Sequence, residues 1–291
     1  MLAAPAALAP LARRADPGLE VADAAPLAPL PSALARPEVA VNLHGQGPES
    51  HRILLALSPG RLVAFRHPDV PESRPGPVWR RGEHEVTRWC RLLSSAGIPA
   101  DPSNLDLTAP PHLGPGWLRG ATVLHPGASA AARRWPPARW AAVARAERAR
   151  GREVAVTAGP GEEDLARRVA DAAELRPDAV RPGLDLEALA ALIGVAGRVA
   201  SGDTGVAHLA VAVGAPSVTL LGPLPATGWG PPRGRPRHRA LRAGSGEGDP
   251  HGAVPDRRLL GLSAADVVRA LGELPARGDE DAPRASAGRR S

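Results

Sequence analysis

The chain has 291 residues, of which 43% are apolar, and this size predicts about two domains with packed cores. Its net charge is +6, but 36 basic and 30 acidic residues are interspersed, which argues against a nucleic-acid platform and favours small anionic partners. The single cysteine, Cys90, excludes an intramolecular disulfide and a cysteine-rich metal site and favours a cytoplasmic protein.

The first part of the chain, residues 1–115, is predicted to be an α/β domain. Helical spacing occurs at residues 6–14 and 83–96, and short apolar runs predict strands at residues 19–22, 39–43 and 61–66. A polar loop follows the second strand, and it offers His44 and His51 as candidate acid–base groups. A surface loop with incidental histidines is the alternative. No apolar run reaches the roughly 18 residues of a membrane span, so we expect membrane contact to be peripheral.

A segment rich in proline and glycine, residues 101–117, is predicted to link this domain to a second one, residues 116–262. The second domain alternates strands with helices, which predicts a doubly wound parallel sheet. Ligands bind at the carboxyl ends of the strands of such sheets. An amphipathic helix follows at residues 263–276, and the composition of residues 277–291 predicts a disordered tail.

The strongest motif is SGDTGVAHL, residues 201–209, where a strand ends in a turn that opens directly into a helix. The backbone N–H groups of Thr204 and Gly205 would then lie unpaired at a helix N-terminus, an arrangement that binds phosphate. His208 lies one turn further on. The alternative is that Asp203 or Thr204 only caps the helix.

Two further polar loops follow strands of the second domain. The first, in residues 124–140, offers the hydroxyl of Ser129 and the charges of Arg133 and Arg134, and arginine suits phosphate contacts. The second, TAGPGEE, offers Glu162 and Glu163 to ribose hydroxyl groups. The alternatives are solvated arginines in an arginine-rich chain and acids that favour a helix N-terminus. No close carboxylate or histidine cluster in the sequence suggests a metal.

Together, these motifs resemble glycosyltransferase family 9, the heptosyltransferases. The resemblance spans nearly all of residues 118–230. It begins with His-Pro-Gly-Ala-Ser, followed by Arg-Arg-Trp-Pro and a Gly-rich acidic turn. A helix near the family's Leu-x-Glu-Leu motif comes next, then Asp-Thr-Gly-x-x-His-Leu-Ala and a strand running to Gly-Pro. These motifs lie at residues 125–129, 133–136, 159–163, 184–189, 203–210 and 214–223.

The resemblance implies a GT-B fold of two Rossmann-like domains and an inverting transferase that requires no metal and no cofactor. The donor would be a nucleotide-diphosphate sugar, typically ADP-heptose, and the acceptor a glycan or glycolipid of the lipopolysaccharide type. Thr204 and Gly205 would bind the diphosphate, with Asp203 shaping the turn and His208 nearby. Ser129, Arg133 and Arg134 would contact phosphate, either Glu162 or Glu163 the ribose, and Leu184 the base. The helix at residues 263–276 would pack back on the first domain.

The start of the chain departs from the family's pattern. Family members begin with a strand and a Gly-x-Gly-Asp turn whose aspartate acts as general base, whereas residues 1–11 resemble the helix that follows this turn. We expect a start codon assigned too late, so that the N-terminal domain is incomplete. No residue corresponds to the aspartate, which leaves His44 as a weaker candidate base. The alternative function is a non-catalytic nucleotide-sugar-binding protein. An NAD-dependent oxidoreductase is disfavoured because no dinucleotide fingerprint follows a strand.

Overall fold

A computed structural model describes residues 1–275 of the chain. It has two compact units, which divide between Leu107 and Thr108, inside the linker predicted at residues 101–117. The predicted tail, residues 277–291, lies outside the described residues. Among residues 1–275, no helix is both long enough and apolar enough to cross a membrane.

The first unit consists of short elements. Its strands pair in parallel as two separate two-stranded sheets, β1 with β2 and β3 with β4. A small core of Val63, Phe65 and Leu92 packs between β4 and α3, with Trp79 and Trp89 at its edge. In chain order the elements are β1 (Leu2–Ala4), α1 (Ala9–Ala15), β2 (Val21–Asp23), β3 (Val39–Val41), α2 (Glu49–Leu55), β4 (Arg61–Val63) and α3 (Glu85–Ser95).

The start of the first unit differs from the expectation. A short strand, β1, precedes the first helix and pairs with β2, whereas the resemblance assigned residues 1–11 as a whole to a helix. No Gly-Asp pair connects β1 to α1. The first helix begins at Ala9 rather than Ala6, because residues 6–8 form a 3₁₀ turn ahead of Pro10.

The second unit is built on one six-stranded parallel sheet of order β10-β9-β8-β5-β6-β7. This confirms the predicted doubly wound sheet. The elements are β5 (Thr122–His125), α4 (Pro137–Ala149), β6 (Val154–Ala158), α5 (Glu163–Ala172), β7 (Val180–Pro182), α6 (Leu186–Val195), β8 (Arg198–Gly202), α7 (Gly205–Ala212), β9 (Ser217–Leu220), α8 (Ala226–Trp229), β10 (His238–Leu241), α9 (Arg257–Leu260) and α10 (Ala264–Gly272).

Strands β5, β6 and β9 are buried over their whole length, which explains why the sequence shows them as short, mainly apolar runs. Asp185 caps α6, since its side chain accepts from the N–H of Ala188 at 2.7 Å. The two edge strands, β7 and β10, were not predicted. Both contain arginine, and β7 ends in Pro182, a residue tolerated at sheet edges because it cannot donate to a ladder.

The last helix, α10, packs into the second unit. Its buried residues Val267, Ala270 and Leu271 belong to the same core cluster as α4 and the central strands. The sequence-based expectation placed this helix on the first domain. The difference arises because the apolar face of an amphipathic helix identifies which side is buried but not which partner buries it.

Candidate functional site

The two strongest motifs meet at the carboxyl ends of neighbouring strands. Strands β5 and β8 pair in parallel, and His125 at the end of β5 lies opposite Ser201 near the end of β8. The loop that contains Ser129 and Arg133 therefore starts beside the turn that contains Asp203 and Thr204. In open parallel sheets this edge is where ligands bind.

Arg133 connects the two motifs directly. Its Nη1 donates to the carbonyl oxygen of Asp203 at 3.1 Å, and its Nη2 donates to the hydroxyl of Ser129. Its Nε is buried and has no hydrogen-bond partner. A buried donor without a partner carries a substantial desolvation cost, so this atom marks a place where an anionic ligand would complete the hydrogen bonding.

The N-terminus of α7 is open to a ligand. Thr204 occupies the N-cap position, but no side chain caps the helix, so the capping interpretation of Asp203 and Thr204 is wrong. The Oγ1 of Thr204 is buried without a hydrogen-bond partner. Gly205, the first helical residue, is exposed, and a β-carbon placed there would meet nothing within 4 Å. The helix therefore presents N–H groups and a hydroxyl to the same space, as an anion site requires.

Asp203 and His208 occupy opposite environments beside this helix end. The Asp203 side chain is buried, and burial raises the pKa of its carboxyl, although the charges of His208 and Arg133 oppose this increase. His208 is exposed on α7, and its ring lies 6.4 Å from that of Trp229, centroid to centroid. Sequence reasoning did not single out Trp229, because α8 is too short to show periodicity.

Glu162 lies beside the loop that follows β5. Its carboxylate accepts from the N–H of Gly159 at 3.2 Å, lies 3.5 Å from the Nη2 of Arg134, and lies 3.9 Å from the Nε2 of His125. A β-carbon on Gly127 would stand 1.8 Å from the same carboxylate, so only glycine leaves room for it there. Burial lowers the pKa of His125, although the charge of Glu162 opposes the change.

Three other predicted donor residues can now be placed. Glu163 begins α5 and accepts from the N–H of Gly161 at 3.4 Å, so it lies outside the cluster that Glu162 forms with Arg134. The Nε of Arg134 donates to the carbonyl oxygen of Ala128 at 2.7 Å, which holds its guanidinium beside the same loop. Leu184 is half-buried in the loop between β7 and α6, at the same edge of the sheet.

The polar loop of the first unit is held by a buried network. Asn42 Nδ2 bonds to the Ser50 hydroxyl at 2.9 Å and to His51 Nδ1 at 2.7 Å, while His51 Nε2 bonds to the Phe65 carbonyl oxygen at 2.6 Å. Both ring nitrogens of the fully buried His51 are thus engaged, so His51 is a structural residue rather than an acid–base group. His44 is exposed, and its N–H donates to Asn42 Oδ1 at 2.8 Å.

Two cavities lie away from these residues. One of about 420 Å³ lies beside β10 and the segment that precedes it, and one of about 320 Å³ lies between β4 and α3. Neither is lined by a predicted site residue. Within residues 1–275, no group of three or more His, Cys, Asp or Glu side chains could hold a metal ion.

Comparison with known proteins identifies relatives. Residues 77–243, more than half of the chain, match the family model of glycosyltransferase family 9 (heptosyltransferase). No curated protein matches significantly. Among solved structures, ADP-heptose LPS heptosyltransferase II from E. coli is 18% identical with a TM-score of 0.67, over 93% of this chain and 87% of that one.

Two further structures are similar. A family 9 glycosyltransferase from Veillonella parvula is 19% identical with a TM-score of 0.62, over 82% of this chain and 74% of that one. The E. coli heptosyltransferase WaaC is 22% identical with a TM-score of 0.59, over 83% of this chain and 74% of that one. At this level of identity the likeness shows the fold, which is GT-B.

Proposed function

The chain belongs to glycosyltransferase family 9 and is a glycosyltransferase, and from this premise we propose that it transfers a heptose from ADP-heptose to a glycan or lipopolysaccharide-type acceptor. The reaction inverts the configuration at the anomeric carbon and uses no metal. The proposed setting is the cytoplasm, with peripheral contact to the membrane that carries a glycolipid acceptor.

The observation that carries this proposal is the pair of unpartnered buried atoms at one helix end. The Nε of Arg133 and the Oγ1 of Thr204 are both buried without hydrogen bonds, and they flank the uncapped start of α7. A diphosphate supplies acceptor oxygens for Arg133 Nε, for Thr204 Oγ1 and for the backbone N–H groups at the start of α7. A solved structure of WaaC from E. coli contains ADP, which supports the choice of this nucleotide.

The nucleoside is proposed to extend along the sheet away from α7. Glu162, in the loop after β6, is the proposed ribose ligand, and Leu184, after β7, is the proposed contact for the base. Ser129 and Arg134 complete the phosphate contacts. Glu163 is the weaker of the two ribose candidates, because it lies outside the cluster around Glu162 and Arg134.

In the proposed mechanism, the acceptor hydroxyl attacks the anomeric carbon as the bond from that carbon to the diphosphate oxygen breaks. Negative charge develops on the leaving phosphate, where Arg133, Thr204 and the N–H of Gly205 stabilise it. Electrostatic stabilisation of this kind is commonly a large catalytic contribution. His44 is the candidate in this chain for the general base that accepts the hydroxyl proton.

The test is calorimetric titration of the 291-residue chain with ADP, UDP, GDP and NAD, followed by a transfer assay with ADP-heptose. We expect ADP to bind with a micromolar dissociation constant and the other nucleotides to bind more weakly. Binding of ADP without transfer would favour the alternative of a non-catalytic nucleotide-sugar-binding protein. Failure to bind any nucleotide would contradict the proposed donor site.

A further inference from the structure

One tryptophan of the second unit differs from all others in the chain. All six tryptophans lie among the described residues, and Trp229 alone is exposed, with 40% of its surface accessible to solvent. Trp135 and Trp140, by comparison, are almost completely buried in the core. A large apolar side chain at the surface gains free energy when a ligand covers it, so an isolated exposed indole beside a candidate site is informative.

Trp229 lies at the same edge of the sheet as the proposed diphosphate site. It ends α8, the helix after β9, and β9 pairs with β8 so that Leu220 lies opposite Gly202. Its ring centroid is 6.4 Å from that of His208, which lies in the first turn of α7. The indole is therefore adjacent to the helix whose N-terminus is uncapped.

The strand order determines which part of a donor this tryptophan would meet. The order β9-β8-β5-β6-β7 places the diphosphate residues, after β8 and β5, in the middle. The proposed nucleoside residues follow β6 and β7 on one side. Trp229 follows β9 on the other side. In a nucleotide sugar the diphosphate connects the nucleoside to the sugar, so a donor bound in an extended conformation would have its sugar on the β9 side.

We propose that Trp229 and His208 form the subsite for the transferred sugar, and this inference rests on the donor site proposed above. The indole stacks on the face of the sugar ring that carries C–H groups, and the imidazole of His208 hydrogen-bonds a sugar hydroxyl. Stacking of this kind recognises the shape of a pyranose without requiring a charge. Trp229 would thus contribute to the choice of sugar, while the residues around α7 bind the diphosphate.

The experiment distinguishes contacts with the sugar from contacts with the nucleotide. The wild-type chain and the variants Trp229→Ala and Trp229→Phe are titrated with ADP and, separately, with ADP-heptose. For Trp229→Ala we expect an unchanged dissociation constant for ADP and a dissociation constant for ADP-heptose about tenfold higher, equivalent to about 1.4 kcal/mol. Trp229→Phe should retain most of the affinity for ADP-heptose, because it preserves an aromatic face.

Trp117→Ala serves as the matched control. Trp117 is partly buried, and its Nε1 donates to Asp178 ahead of β7, at the amino ends of the strands. This variant should bind both ligands as the wild type does. Circular dichroism and the thermal midpoint establish that each variant is folded.

Two results would overturn the inference while leaving the donor site intact. Equal weakening of ADP and ADP-heptose in Trp229→Ala would show that Trp229 supports the diphosphate site, and unchanged binding of ADP-heptose would show no contact with the sugar. Failure of the wild type to bind ADP would instead refute the proposed donor site, and the sugar subsite with it. As a second readout, ADP-heptose should change the tryptophan fluorescence more than ADP does, and this difference should disappear in Trp229→Phe.

Discussion

The Nη1 of Arg133 donates to the carbonyl oxygen of Asp203 at 3.1 Å, joining two motifs that stand 70 residues apart in the chain. The bond holds the guanidinium beside the uncapped start of α7 before any ligand is present. A group positioned in advance loses less conformational freedom when the ligand binds.

Arg133→Ala should weaken the binding of ADP, because it removes a charged donor from the phosphate contacts. The expected loss is about 1.5–3 kcal/mol, the range for hydrogen bonds to charged groups. Calorimetric titration measures it. Arg269→Ala is the control, since Arg269 is exposed on α10 and pairs with Asp266 in the preceding turn. Unchanged ADP affinity in Arg133→Ala would indicate that Arg134, rather than Arg133, contacts the phosphate.

Thr204→Val should weaken the binding of ADP without lowering the free energy of unfolding. The Oγ1 of Thr204 is buried without a partner, so its removal should not lower the free energy of unfolding of the unliganded protein. ADP affinity should fall by about 1.5 kcal/mol, since a hydrogen bond to a charged phosphate is lost. The measurements are chemical denaturation and calorimetry.

Thr122→Val is the matched control for this experiment. The Thr122 hydroxyl donates to the carboxylate of Glu147 at 2.7 Å, so its loss should destabilise the protein by about 1–3 kcal/mol and leave ADP binding unchanged. If Thr204→Val instead destabilised the protein and bound ADP normally, the hydroxyl would have a purely structural role.

Gly205→Ala should also affect binding more than folding. An added β-carbon meets nothing within 4 Å in the unliganded protein, so the free energy of unfolding should stay equal or rise by a few tenths of a kcal/mol. The methyl group would occupy space beside the backbone N–H groups, and we expect ADP affinity to fall about tenfold. Gly272→Ala, an equally open position on α10, should leave ADP affinity unchanged. Normal ADP binding by Gly205→Ala would exclude close approach of the phosphate.

Glu147→Gln should lower stability in a pH-dependent manner. Glu147 is fully buried and accepts from Arg152 Nε and Nη2 at 2.6 and 2.7 Å. Burial raises the pKa of this carboxyl, but the hydrogen bonds from Arg152 and Thr122 outweigh burial and leave the pKa below its ordinary value of 4.5. The ionised form therefore stabilises the fold above that pH, and this contribution is lost as the pH falls through the lowered pKa.

At pH 7, Glu147→Gln should reduce the free energy of unfolding by about 3 kcal/mol, because it leaves a cation without its buried partner. The difference from the wild type should decrease in denaturation experiments below pH 4.5. Glu153→Gln removes an exposed partner 3.8 Å from Arg176, and it should cost less than about 1 kcal/mol at every pH. A constant difference between wild type and Glu147→Gln across the whole pH range would refute this account.

The candidate site was only partly predictable. The turn at Asp203–Gly205 and the loop with Arg133 were identified because each follows an apolar run, and strand ends are where α/β proteins bind ligands. His125 and Gly127 were identified only as parts of a motif, with no role, and Trp229 was missed. Their positions depend on which strand ends are neighbours, and the Cβ clash that reserves Gly127 for the Glu162 carboxylate appears only when two loops meet.

The sequence by itself determined the alternation of elements in the second unit, the parallel character of its sheet, the family and the loops that carry polar groups. These depend on local periodicity and on motifs, which are read along the chain. Only the tertiary structure decided the strand order, the partner of α10, the engagement of both nitrogens of His51, and the absence of a side-chain cap on α7. The physical reason is that hydrogen bonds and burial of side chains depend on neighbours distant in the sequence, and a local pattern contains no record of them.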